Sequence, residues 1–123
     1  MTMTAPDIEV ERAGLAPAAA LFRSLGDPAR LMIVRRLARG PARVTDLTAA
    51  LGLAQSTVSK HLACLRDCGL VTSEAAARAS VFRLAQPTLA DMLTSAEAVL
   101  AATGNAVELC PVYGPGACRT EPS

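Results

Sequence analysis

From Leu15 onward, apolar residues recur at helical spacing in short, sharply punctuated runs. Leu15, Ala18, Ala19, Leu21, Phe22 and Leu25 predict a helix over 16–25, closed by Gly26. Asp27-Pro28 restarts the chain, because Asp caps a helix N-terminus and Pro suits the first helical position. Leu31, Ile33, Val34 and Leu37 give this second helix its apolar stripe, and Gly40-Pro41 ends it. A short helix over 44–51 stops at Gly52, where a left-handed turn would make a Cβ costly. The next helix, 55–67, turns Val58, Leu62 and Leu65 inward, and Gly69 stops it.

The period then changes. Residues 70–74 and 80–84 alternate apolar and polar, as two short strands do, around a tip at 75–79 that holds Arg78. Pro87 opens a last helix over 88–102, with Leu89, Met92, Leu93, Ala96, Val99 and Leu100 at helical spacing, and Gly104 ends it. The expected organisation is a disordered arm at 1–12, one domain at 13–103 and an irregular tail at 104–123. That tail is rich in Pro and Gly and carries Cys110 and Cys118. The fold class is mainly α with a small β-hairpin. Helix, helix, turn, helix and hairpin in this order make a winged helix-turn-helix.

Composition narrows the function. Hydrophobic residues make up 51% of the 123, but aromatics only 2%, so the core must be built mainly from Leu, Val and Ala. No run reaches the roughly 18 apolar residues of a membrane span. The N-terminus carries Asp7, Glu9 and Glu11 and lacks an apolar signal core, so a cytoplasmic protein without a membrane partner is expected. There is no Gly-rich phosphate loop, no His/carboxylate pair and no nucleophile elbow, which argues against an enzyme and against a small-molecule substrate.

Charge is uneven. The net charge is +1, yet residues 23–83 hold ten basic and four acidic side chains, so the middle is +6 and the two ends together are −5. A basic centre is the footprint of a double-stranded DNA surface. Gln55, Ser56, Thr57, Ser59 and Lys60 form a polar run at the start of the second helix of the helix-turn-helix, where side chains enter a major groove. Gln pairs with adenine, Ser and Thr reach bases or phosphates, and Lys60 and the wing Arg78 suit phosphate. His61, the single histidine, is assigned to helix packing or DNA contact rather than to metal.

The same helix carries Cys64 and Cys68. Residues at i and i+4 share a helical face with Cβ atoms roughly 5–6 Å apart. Metal–thiolate bonds of about 2.3 Å allow one soft ion to bridge such a pair. Thiolates select Cd(II), Pb(II), Cu(I) or Zn(II), and three sulfurs also suit As(III).

Three motifs occur in order: Leu25-Gly26-Asp27-Pro28-Ala29-Arg30-Leu31, Gln55 to Leu62, and Leu65-Arg66-Asp67-Cys68-Gly69-Leu70-Val71. Over residues 15–102 the chain resembles the ArsR/SmtB family of bacterial metal-responsive repressors. The resemblance implies a homodimer built on its first and last helices, which leaves operator DNA when inducer binds. One family site needs cysteines near Val44 to Leu47, and another needs histidines on the last helix; neither is present. What remains resembles the cadmium- and lead-sensing CmtR-type branch, in which two recognition-helix cysteines combine with one from the tail. That likeness assigns Cys64 and Cys68 as metal ligands, with Cys110 as the third and Cys118 as a further candidate. Cd(II) or Pb(II) is the implied inducer; As(III) or Zn(II), and a thiol-redox repressor, are the alternatives.

Overall fold

The computed structural model describes residues 5–105 together with Leu109. Six helices and a small sheet follow one another as α1 (Ala5–Gly14), α2 (Ala16–Leu25), α3 (Pro28–Leu37), β1 (Ala42–Arg43), α4 (Val44–Leu51), α5 (Gln55–Asp67), β2 (Val71–Ala76), β3 (Ala79–Leu84) and α6 (Thr88–Ala102). The strands form one antiparallel sheet in the order β1-β3-β2. The architecture is the expected winged helix-turn-helix.

Helix bounds from α2 to α6 fall where the sequence punctuates them. Asp27 caps α3 with its Oδ1, which accepts from the backbone N–H of Ala29 at 2.8 Å and of Arg30 at 3.3 Å. Gly52 takes a left-handed conformation, φ 70°, and its N–H donates to the Thr48 carbonyl at 2.9 Å. That turn drives the chain from α4 directly into α5. One core serves every element from α2 to α6: Ile33, Val34, Leu47, Val58 and Leu65 are completely buried, and Phe82 from the sheet and Leu89 and Leu93 from α6 close it. No described helix is long and apolar enough to cross a membrane.

Three expectations are corrected. The arm at 1–12 is not disordered over its described part, because α1 begins at Ala5. Asp7 in its first turn and Arg12 in its last complement the helix dipole. The large apolar residues of α1, Ile8 and Val10, are 45% and 73% exposed, so no buried stripe announced the helix. The hairpin gains a third strand, with Ala42 opposite Phe82 and Arg43 opposite Val81; two residues are too few to show alternation. The wing tip is also shorter than 75–79, since β2 and β3 pair as far as Ala76 and Ala79 and leave only Ala77-Arg78 to turn.

Candidate thiol site and DNA-reading surface

Helix α5 exists because its three inward positions, Val58, Leu62 and Leu65, are at most 1% exposed in the core. Its N-terminal half then faces outward. Gln55, Ser56, Ser59 and Lys60 are exposed and Thr57 is half-buried. Ala54 precedes the helix without a capping side chain, and uncapped first-turn N–H groups favour phosphate oxygens. Arg78 stands exposed in the two-residue turn of the wing. In the same hairpin, Arg83 of β3 pairs with Glu74 of β2.

The C-terminal end of α5 is built differently. Gly69 adopts φ 76°, and the N–H groups of Gly69 and Leu70 donate to the carbonyls of Arg66 and Leu65, both at 2.9 Å. This is a Schellman cap, and it makes Cys68 the C-cap residue, its own N–H donating to the Cys64 carbonyl at 3.1 Å. Both thiols are free, Cys64 half-buried and Cys68 exposed. Cys68 is not idle, however: its sulfur lies 2.8 Å from the hydroxyl of Ser24 at the end of α2.

Two soft sulfurs on consecutive helical turns fit a thiophilic ion and leave coordination positions to fill. Among the described residues, no group of three or more His, Cys, Asp or Glu side chains is placed to hold a metal. Within those residues Cys64 and Cys68 stand as a pair without a third such side chain beside them. Cys110 and Cys118 both lie outside the described residues. Leu109, the residue before Cys110, packs against the core, and its N–H donates to the buried carboxylate of Glu97 on α6.

His61 has structural work that the sequence reading only half anticipated. Its Nδ1 lies 3.3 Å from Arg30 Nη1. A guanidinium only donates, so Nδ1 is the acceptor in this contact. The same Arg30 donates from Nε to the Ser24 carbonyl at 2.5 Å and from Nη2 to the Arg23 carbonyl at 3.3 Å. Arg30 thus supplies a donor to the Ser24 carbonyl, adds a second one to the Arg23 carbonyl that already accepts the Gly26 N–H, and ties the end of α2 to α5. Asp27 sits beside this hub. Partial desolvation raises its carboxyl pKa, but the Arg30 and Ala29 backbone N–H groups, with His61 and Arg30 nearby, outweigh it and hold the carboxyl below its ordinary value.

Ser24 and Arg30 were not among the sequence-derived site residues. A signal did exist. Ser24 is the polar member of the inward row Leu21, Ser24, Leu25, and it is 4% exposed.

Residues 27–73 match the model of the family described as bacterial regulatory protein, arsR family. The transcriptional regulator NmtR of Mycobacterium tuberculosis is 38% identical over 91 residues, covering 74% of this chain and 76% of the relative. A probable mercury resistance operon repressor of Streptomyces lividans is 32% identical over 92 residues, covering 75% and 74%. The solved structure of the cadmium metal-sensor CmtR from Mycobacterium tuberculosis superposes with a TM-score of 0.56 at 43% identity, covering 63% of this chain and 80% of that one. With a winged helix-turn-helix, a polar recognition helix and the 27–73 match in place, the chain belongs to the ArsR/SmtB family of metal-responsive transcriptional repressors.

Proposed function

We propose that this chain represses transcription as a homodimer on double-stranded operator DNA and is released when a thiophilic ion, Cd(II) or Pb(II), is bound by Cys64, Cys68 and a tail cysteine. The observation that carries the reading is one helix with two uses. Gln55, Ser56, Ser59 and Lys60 are exposed at its start, and two free thiols stand four residues apart at its end. Gln55, Ser56, Thr57 and Ser59 would read or flank base edges, and Lys60 and Arg78 would neutralise phosphates. Cys110 is the proposed third ligand, because Leu109 beside it is already anchored on α6; Cys118 is the reserve. A second chain would cover the apolar side chains left outward on the helical layer, Leu15, Phe22 and Val99, each more than half exposed. Relatives described as a cadmium sensor and a mercury resistance repressor support a soft inducer.

Bound there, a thiophilic ion supplies a positive charge and strong bonds to sulfur, at a site that must first lose its thiol protons. The protein's own part is to present Cys64 and Cys68 on one face and bring a tail thiol to them. Ligation of the α5 terminus then competes with the helix orientation that fits the groove. Coupling between two such sites is typically about 1–3 kcal/mol, and linkage makes it reciprocal.

The test is a titration of the reduced protein with Cd(II), Pb(II) and As(III), followed by thiolate charge-transfer absorbance. Operator affinity is measured in parallel on DNA from upstream of its own gene. Wild type should show the band and lose DNA; Cys64→Ser and Cys68→Ser should lose both responses. Release that survives Cys64→Ser would sink the assignment. Release caused only by oxidant, and reversed by thiol reductant, would favour the redox alternative.

A further inference from the structure

The Ser24 hydroxyl and the Cys68 sulfur join residues 44 apart in the chain. Ser24 is buried, and its own carbonyl is the acceptor for Arg30 Nε. Arg30 then reaches His61, two turns before Cys68 on the same face of α5 and directly after Lys60. The contacts form a closed loop: Cys68 to Ser24, through the Ser24 backbone to Arg30, and from Arg30 back to α5. We propose that Ser24 is a positioning residue that couples ligation at Cys68 to the orientation of the recognition helix, an inference that rests on Cys64 and Cys68 being metal ligands.

The chemistry gives the coupling its direction. Between a neutral thiol and a hydroxyl either atom can donate, and the bond is weak. Ligation releases the Cys68 proton to solvent and leaves a sulfur that only accepts. The Ser24 O–H is then the sole donor, and the contact is fixed in one direction. The α2–α5 junction thus gains a defined polarity at Cys68, while Arg30 holds the helix at His61. A displacement of the α5 terminus toward α2 is therefore delivered to the residue that adjoins the DNA-reading run. Without the Ser24 hydroxyl, the metal would be bound by the same sulfurs but the helix would not follow.

The experiment uses the full chain as wild type, Ser24→Ala and Ser24→Thr, with Cd(II) as the probe. Three quantities are read: thiolate charge-transfer absorbance, operator affinity with and without Cd(II), and the ring signals of His61 by NMR. His61 is the only histidine, so its signals report one site. In wild type, Cd(II) should weaken operator binding on the order of 5–150-fold and shift the His61 signals. Ser24→Ala should keep the full charge-transfer band, while the operator effect falls to roughly a tenth of its wild-type size and the His61 shift disappears. Ser24→Thr, which retains a hydroxyl, should restore both. An undiminished operator effect in Ser24→Ala would overturn the role of Ser24 and leave the thiolate site standing. So would wild-type His61 signals that stay fixed when Cd(II) binds, a readout that requires no variant to fold. Absence of the charge-transfer band in wild type would overturn the site and this inference together.

Discussion

The two halves of helix α5 are made of the same kind of backbone and serve opposite ends. From Gln55 to Lys60 four of six side chains are exposed, and the helix enters without a capping side chain. From His61 to Cys68 the helix is held: His61 by Arg30, Cys68 by Ser24, and the terminus by a Schellman cap. What joins the halves is the rigid inward row of Val58, Leu62 and Leu65. The difference teaches how a reading surface stays uncommitted. On the proposed function its side chains are left for DNA because its position is fixed elsewhere, by Arg30 and Ser24. In the proposed mechanism, a ligand that alters the held half would act on the reading half without occupying it.

The sharpest way to break this division is at Arg30. Its guanidinium serves the Arg23 and Ser24 carbonyls and His61 at once. Arg30→Ala removes donors from partly buried acceptors, and such losses cost about 1–3 kcal/mol. Urea unfolding should register that cost, and operator affinity should fall although Arg30 lies off the polar run. Arg30→Lys should recover little, because an ammonium on a flexible stem cannot reproduce a three-way planar fork. Full stability in Arg30→Ala would mean that the held half is held by something else.

A smaller effect sharpens the comparison from the other side. Lys60→Ala should leave thermal stability unchanged, since Lys60 is exposed. It should weaken operator binding about equally for all sequences and lower the salt-dependence slope by about 1. Arg78→Ala in the wing should behave the same way. If either variant instead lowered the melting temperature, the reading half would be carrying structure as well as DNA.

These contrasts bear on what the residue order reveals. Helices α2 to α6 were legible because Gly26, Asp27-Pro28, Gly52, Gly69, Pro87 and Gly104 mark their ends chemically and the apolar rows between them keep one period. Helix α1 was not, because its exposed Ile8 and Val10 form no inward stripe. Strand β1 was not, because two residues have no period. Within the candidate site the same boundary applies. The spacing of Cys64 and Cys68 is local and could be read. The contact of Cys68 with Ser24 depends on how α2 crosses α5, and only folding brings residues 44 apart together.

The smallest effect expected is electrostatic, and its sign can be worked out. Asp27 caps the helix from which Arg30 reaches His61. Its carboxyl lies below the ordinary value of 3.8, because the backbone N–H groups and their neighbours outweigh the desolvation that raises it. A carboxyl depressed in the folded state stabilises fully above its unfolded value and loses that contribution as pH falls through the folded one. The stabilisation should thus be intact at neutral pH and fade only below about pH 4. Asn also caps helices well but does not titrate there. Asp27→Asn should therefore match wild type near pH 7 and show a shallower fall in melting temperature through the acid range. Asp46 on α4, held down by the backbone N–H of Arg43 in β1, keeps titrating in the variant, so some acid slope should remain. Parallel slopes in wild type and Asp27→Asn would show that the charge on the cap contributes nothing and that Asp27 works through its hydrogen bonds alone. In that case the held half of α5 would be set by geometry, without electrostatic tuning from the capped end of α3.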